Sequence, residues 1–224
     1  MAWTRSLLNF FYPNRCPGCG CFLPAQALLC ADCEAGILLH DYCSCCGKPV
    51  CQCGRGTLAY DRAVVCSAYA GAAARAILCL KDAGNTNFAP FAAAVLARRL
   101  REGAYPAPEL VVPVPMHPDK QRRRGYNQAA LIGKALAAHL GIPMREDVLY
   151  KADTGREQHR LSARERQLGD GGFSAGSVRL DGQCVLLCDD VLTTGSTMHR
   201  CAALLKECGA SAVIAAAACT TPRK

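Results

Sequence analysis

The chain has 224 residues and a mass of 23.8 kDa, enough to bury a full core as one domain or as one domain with a small appendage. Hydrophobic residues make up 51% and charged residues 20%, ordinary for a globular protein, and no apolar run approaches the roughly 18 residues of a membrane span. The net charge of +8 favours anionic partners without selecting among them.

The opening MAWTRSLLNFFYP carries one arginine and a short apolar patch, but neither a run of secretory length nor a small-residue cleavage site. It reads as the start of a cytoplasmic chain. Of 17 cysteines, ten fall before residue 54, and in a reducing compartment they point to metal rather than disulfides. Cys16-x-x-Cys19 and Cys30-x-x-Cys33 are two knuckles ten residues apart, a spacing suited to a tetrahedral zinc site with four thiolates. Cys43-x-x-Cys46 and Cys51-x-Cys53 offer a second set, with Cys21 and Cys45 to spare. Alternate knuckles sharing a metal, and an iron–sulfur cluster on the same thiolates, are the competing arrangements; the close-spaced knuckles fit zinc better. No histidine ligand pattern accompanies them, so the expected site is closed and structural. Residues 1–57 are therefore read as a zinc-binding module that folds around metal for want of apolar surface, and residues 58–224 as a second domain. The seven later cysteines lie mostly in apolar runs and are assigned to packing.

From Asp61 the texture changes. A strand is predicted over 63–69, a helix from about Ala72, a turn at GNTN, and a second helix from Phe88 to Glu102 with arginines near its C-terminal end. Next come a strand at 109–114, a basic loop, a helix from about Tyr126 to Leu140 stopped by Gly141 and Pro143, and a short strand DVLY. Residues 151–176 are polar and lack periodicity, as expected of a mobile functional lid. The strand QCVLLC (183–188), a helix from Ser196 to Cys208 and the strand SAVIAAAAC close the chain. Apolar, unalternating strands joined by helices predict an α/β fold whose parallel sheet is covered on both faces.

In such a sheet ligands bind beyond the carboxyl ends of strands, where VLLCDDVLTTGST sets Asp189 and Asp190. Thr193, Thr194, Gly195, Ser196 and Thr197 then run into a helix N-terminus, whose free N–H groups favour a phosphate. Paired acceptors suit a vicinal diol, so the stretch describes a ribose 5-phosphate site. It contains no lysine and is not a nucleotide P-loop.

An apolar strand followed by DDVLTTGST resembles the signature of the type I phosphoribosyltransferases, whose ligand is phosphoribosyl pyrophosphate (PRPP). VVPVPMHPDKQRRRGYNQAALIGKALAAHLGIP, the segment around Thr154, Gln158, Leu161, Ser162 and Arg164, and the early Cys pairs are similar to the ComF family across essentially the whole chain. The resemblance implies the type I phosphoribosyltransferase fold, a parallel twisted sheet with helices on both faces, behind a small N-terminal Cys-rich zinc module. It implies that Asp189 and Asp190 hold the ribose hydroxyls, Val191 and Leu192 lead into the loop, and Thr193 to Thr197 wrap the 5-phosphate. Val112 to His117, centred on Val114, Pro115 and Met116, would receive pyrophosphate, with Pro113 and Pro115 allowing a cis peptide. Lys120, Arg122, Arg123, Arg124 and Arg156 are candidate phosphate or DNA contacts. Cys51-x-Cys53 departs from the family's usual two intervening residues. Magnesium is expected to arrive with PRPP, because pyrophosphate leaves well only when its charge is neutralised. The implied function is that of a PRPP-binding accessory factor in DNA uptake, transformation or recombination, acting on single-stranded DNA beside other proteins. The alternative is an active phosphoribosyltransferase, in which a nitrogen nucleophile displaces pyrophosphate. With 14 aromatic residues and no aromatic-and-acidic hood for a base, the sequence gives no acceptor or catalytic residue. Tyr126 is the best base-stacking platform, though a helix-packing role suits it better.

Overall fold

The computed structural model describes residues 13–37, 41–51, 53, 58–151 and 172–221. In chain order these form α1 (Ala31–Ile37), β1 (Arg62–Ala68), α2 (Gly71–Leu78), α3 (Phe88–Glu102), β2 (Leu110–Pro113), α4 (Pro118–Arg124), α5 (Gln128–Leu140), β3 (Leu149–Lys151), β4 (Phe173–Ala175), β5 (Cys184–Leu192), α6 (Ser196–Glu207) and β6 (Ala212–Thr220). Four strands make one parallel sheet in the order β1-β6-β5-β2.

Parallel strands need long crossovers, and the helices that supply them cover both faces of the sheet. Cys184 to Cys188 are all buried, which explains the unalternating apolar run. Ile214, Ala216 and Leu186 pack with α2, α3 and α5 on one face. Val213, Ala215 and Leu187 pack with Met198, Cys201 and Leu205 of α6 on the other. The later cysteines serve packing: Cys66, Cys184, Cys188, Cys201 and Cys219 are buried, while Cys79 and Cys208 are half-buried. Burial pushes the Cys66 and Cys201 thiols up to about 12, which keeps them protonated and inert.

Three expectations need correction. The strand expected at DVLY is present as Leu149–Lys151, and it pairs antiparallel with Phe173–Ala175 in a two-stranded ribbon separate from the main sheet. Consequently 151–176 is not wholly irregular, since both its described ends are strands; residues 152–171 lie outside the described residues. The basic loop is largely the helix α4. Pro118 occupies its first turn, the His117 ring accepts from the Asp119 N–H (3.2 Å), and Gly125 ends it at φ 85°. The following helix opens at Gln128 rather than Tyr126, because Asn127 caps it by accepting from the Ala129 N–H (3.1 Å). The described peptide bonds, including those of Pro113 and Pro115, are trans.

The N-terminal segment is anchored on both faces of the sheet. Arg75 of α2 donates to the Gly18 carbonyl, and Asn85 and Asn87 bond the Arg15 carbonyl (2.8 Å) and the Asn14 side chain (2.7 Å). A Cβ at Gly18 would lie 2.8 Å from Cys33 Sγ, so glycine is required for this close approach. The second knuckle bonds the open edge of the sheet, where the Ala63 N–H of β1 donates to the Ser44 carbonyl (2.8 Å), and its Gly47 packs on the opposite face against Ala63, Val65 and Leu192.

Candidate functional site

The thiols assemble as two separate sets. In Cys16, Cys19, Cys30 and Cys33, and again in Cys43, Cys46, Cys51 and Cys53, the sulfurs all lie within 4.8 Å of one another. The knuckles are thus grouped in sequence order rather than cross-braced, and Cys21 and Cys45 belong to neither set. Sulfur separations of 3.6 Å for Cys19–Cys30, Cys43–Cys51 and Cys43–Cys53, and 3.3 Å for Cys51–Cys53, approach the edge of about 3.8 Å that a tetrahedron of ~2.3 Å zinc–sulfur bonds requires. The donor sets fit zinc. The single residue between Cys51 and Cys53 does not prevent closure of the second set.

At the carboxyl ends of β2 and β5 a cavity of about 360 Å³ is lined by Val114, Pro115, Met116, Asp189 and Asp190 on the strand side. Lys81, Lys120, Arg123, Arg124 and Lys151 also line it. Two acidic side chains therefore share one cavity with five cationic ones, which sets hydrogen-bond acceptors beside a surplus of positive charge. Arg122 does not line it, and instead pairs with Asp119 on the exposed side of α4. Arg156 lies outside the described residues. Thr193, Thr194 and Ser196 are exposed at the N-terminal end of α6, and none of residues 191–197 lines this cavity. There Thr194 and Ser196 hydroxyls bond one another (2.9 Å), the Ser196 N–H donates to Thr194 Oγ1 (3.3 Å), and Gly195 takes φ 83°. At this turn the two hydroxyls and the first helical N–H bond one another, so an anion held here by the helix N-terminus would replace those contacts.

Residues 127–224 match the phosphoribosyl transferase domain family, and residues 7–70 match the double zinc ribbon domain family. The chain joins a double zinc ribbon to a phosphoribosyltransferase domain. It is 29% identical over 218 residues to competence protein F of Haemophilus influenzae, covering 91% of this chain and 95% of that one. With the DNA utilization protein YhgH of Salmonella typhi it shares 34% identity over 137 residues, spanning 58% of this chain and only 60% of YhgH. Both are homologues. The solved allosteric regulatory enzyme of purine biosynthesis overlaps 59% of this chain and 25% of its own, at 27% identity and a TM-score of 0.39.

Within the phosphoribosyltransferase domain, β5 runs past the apolar run to Leu192, so both carboxylates are pinned in register, Asp189 opposite Ala217 of β6. Asp190 pairs with Lys81 at 2.8 Å. Lys81 was not legible as a site residue, because it sits on the π-helical turn Cys79–Ala83 that extends α2, far away in sequence; such turns recur at functional sites. Asn127 was missed as well. Besides capping α5 it donates to the Val114 carbonyl (2.9 Å), which fixes the loop after β2. Tyr126 follows the packing expectation, its hydroxyl donating to the Leu80 carbonyl at 2.9 Å.

Burial, with the neighbouring Asp190 adding to it, holds the Asp189 carboxyl well above the usual carboxylate range, pushed up to about 8. A folded-state value above the unfolded one means that the folded chain keeps this proton longer. The stability it contributes is complete below the unfolded value of 3.8 and is lost as pH rises towards about 8. Asp189→Asn, neutral throughout, is therefore expected to melt higher than the parent near pH 8 and alike near pH 4. Melting curves across that range check the sign, and a variant destabilised most at the alkaline end would contradict it.

Proposed function

We propose that the phosphoribosyltransferase domain binds PRPP and that the chain is a cytoplasmic accessory factor in DNA uptake or utilisation. The observation carrying this reading is the cavity that joins Asp189 and Asp190 to Lys81, Lys120, Arg123, Arg124 and Lys151. The carboxylates accept from the ribose hydroxyls, the loop Thr193 to Thr197 takes the 5-phosphate, and the cations with the Val114 to Met116 loop take the pyrophosphate. Magnesium fits as a companion of the pyrophosphate, whose hard oxygens it prefers, with Asp189 and Asp190 as the nearby carboxylates; bound there it would offset the pyrophosphate's charge. The ribbon ends near residue 57 and holds zinc structurally, while the domain from residue 58 holds the ligand. The DNA role rests on what the homologues are called, competence protein F and DNA utilization protein YhgH, and on the net charge of +8.

Single-stranded DNA would follow the cations of α4. Arg123 lines both the main cavity and a second one shared with Lys81, Asp82, Gly84, Arg124 and Tyr126, which gives a basic track beside the PRPP site. Each phosphate contact contributes about 0.7 to the slope of log affinity against log salt for a single strand. Replacing Lys120, Arg123 and Arg124 by alanine is expected to lower that slope by about 2 and to weaken DNA of every sequence alike. Fluorescence anisotropy at several salt concentrations measures it. DNA binding indifferent to salt, or none at low salt, removes the DNA part of the proposal and leaves the PRPP part standing.

A further inference from the structure

The second knuckle carries a lysine that reaches away from the metal. Lys48 is only 4% exposed, two residues beyond Cys46. Its ammonium donates to the carbonyls of Leu192 (2.9 Å), Thr193 and Thr221 (2.8 Å) and to Thr220 Oγ1 (3.1 Å). These acceptors are the last residue of β5, the first residue of the 193–197 loop, and the end of β6. Thr220 Oγ1 and the Thr221 N–H also donate to the Leu192 carbonyl, each at 3.1 Å, so the strand ends and the lysine form one knot. Burying an ammonium is costly unless its protons are bonded, and here charge-assisted bonds to the backbone meet that requirement.

The lysine is held from the metal side too. The Cys43 N–H donates to the Lys48 carbonyl (3.0 Å), and the Gly47 N–H donates to the Cys43 carbonyl (2.8 Å). Gly47 takes φ 69° and presses so closely on the strand end that a Cβ would lie 2.7 Å from Leu192 Cδ2. Cys43 and Cys46 belong to the second thiol set, and its other members, Cys51 and Cys53, are exposed. Knuckle, lysine and loop thus form one continuous path, buried at Lys48 and open to solvent at the thiols of Cys51 and Cys53 on one end and at Thr193, Thr194 and Ser196 on the other.

We propose that Lys48 is a positioning residue for the sugar-phosphate loop, through which metal occupancy of the second thiol set governs affinity for the 5-phosphate. With metal bound, the turn that carries Lys48 is rigid and the Thr193 carbonyl is fixed, so the hydroxyls and N–H groups of the loop are preorganised. Without it the knuckle loosens, the ammonium withdraws and the loop loses its anchor. The pyrophosphate end of the cavity, built on β2 and α4, is not on this path. The proposal rests on the sugar-phosphate reading of that loop.

The test uses the full chain with zinc bound, titrated separately with ribose 5-phosphate and inorganic pyrophosphate, in the parent, Lys48→Met and Cys51→Ser/Cys53→Ser. Lys48→Met is expected to keep the parent's zinc content and to lose ribose 5-phosphate affinity by about tenfold or more, the scale of one charge-assisted hydrogen bond. Its pyrophosphate affinity should stay within about twofold, a split that general destabilisation does not produce. The double cysteine variant should lose zinc from the second set and show the same selective loss; it also carries the test if Lys48→Met fails to fold. Unchanged ribose 5-phosphate affinity, or equal loss of both ligands, overturns the proposal. If the parent binds no ribose 5-phosphate, the sugar-phosphate reading fails and the anchor is judged by amide hydrogen exchange alone. Faster exchange at 193–197 in both variants, with β1 unchanged, supports it, and unchanged exchange overturns it.

Discussion

Removing the metal from both thiol sets is expected to unfold the zinc ribbon and to lower the melting temperature of the whole chain by at least ~10 °C. The described ribbon has few buried apolar side chains of its own, chiefly Cys16, Leu29, Cys33 and Ile37 on the α2 side. A segment with so little core depends on metal, and structural zinc contributes about 10–16 kcal/mol of apparent binding energy in small zinc modules. The loss should not stay local. Cys33 and Ile37 belong to the same packed cluster as Ile77, Leu80 and Leu96, so an unfolded ribbon exposes one face of the sheet's helical layer. Gly18 and Arg75 would lose their contact, and α2 its cover. Circular dichroism melts before and after chelation, with released zinc quantified in parallel, measure the effect. An unchanged melt after complete release of two metals per chain would mean that the fold does not depend on the metal.

The second large effect is expected at the strand end. Asp189→Asn with Asp190→Asn should lose PRPP affinity by about tenfold or more, since the charge-assisted hydrogen bond of Asp190 to a diol, contributing about 1.5–3 kcal/mol, is removed together with the acceptor that the protonated Asp189 carboxyl supplies. The fold should survive. Asp189 is a carboxyl whose burial favours its proton, so its ionisation costs stability at neutral pH, and its neutral counterpart still accepts the Asp190 N–H that Asp189 Oδ1 accepts at 2.8 Å. Asp190 faces Lys81, so its replacement frees that ammonium within the cavity and should leave pyrophosphate binding intact or slightly stronger. Calorimetry with PRPP and pyrophosphate, beside a thermal melt, reads both halves of this expectation. Loss of the fold in the double variant would make the pair structural and remove the ribose assignment.

Much of this was legible in the sequence, and the limits are physical. The four main strands were readable because each is a short apolar run between helix signals, and parallel strands buried on both faces leave that pattern. DVLY has the same composition yet pairs elsewhere, since a three-residue strand contains nothing to specify its partner. The α4 helix was missed although HPDKQRRRG bears a proline in its first turn and a glycine stop, because a proline followed by six polar residues has no apolar periodicity to read. Asp189 and Asp190 were findable from their own neighbours. Lys81 and Lys48 were not: each reaches its acceptors across the fold, 109 and 144 residues away in sequence for the Asp190 pair and the Leu192 carbonyl, and no local spacing encodes such contacts. The thiol sets were legible as knuckles grouped in sequence order, and three-dimensional closure sets the cross-braced alternative aside.

The most direct test of the central claim is calorimetric titration of the zinc-loaded chain with PRPP and magnesium, beside ribose 5-phosphate and pyrophosphate, and repeated with single-stranded DNA present. PRPP is expected to bind in the micromolar range, tighter than either fragment alone, because the cavity and the 193–197 loop would hold the two ends of one ligand. Failure of PRPP and both fragments to bind would contradict it, and DDVLTTGST would then be an element of the fold alone.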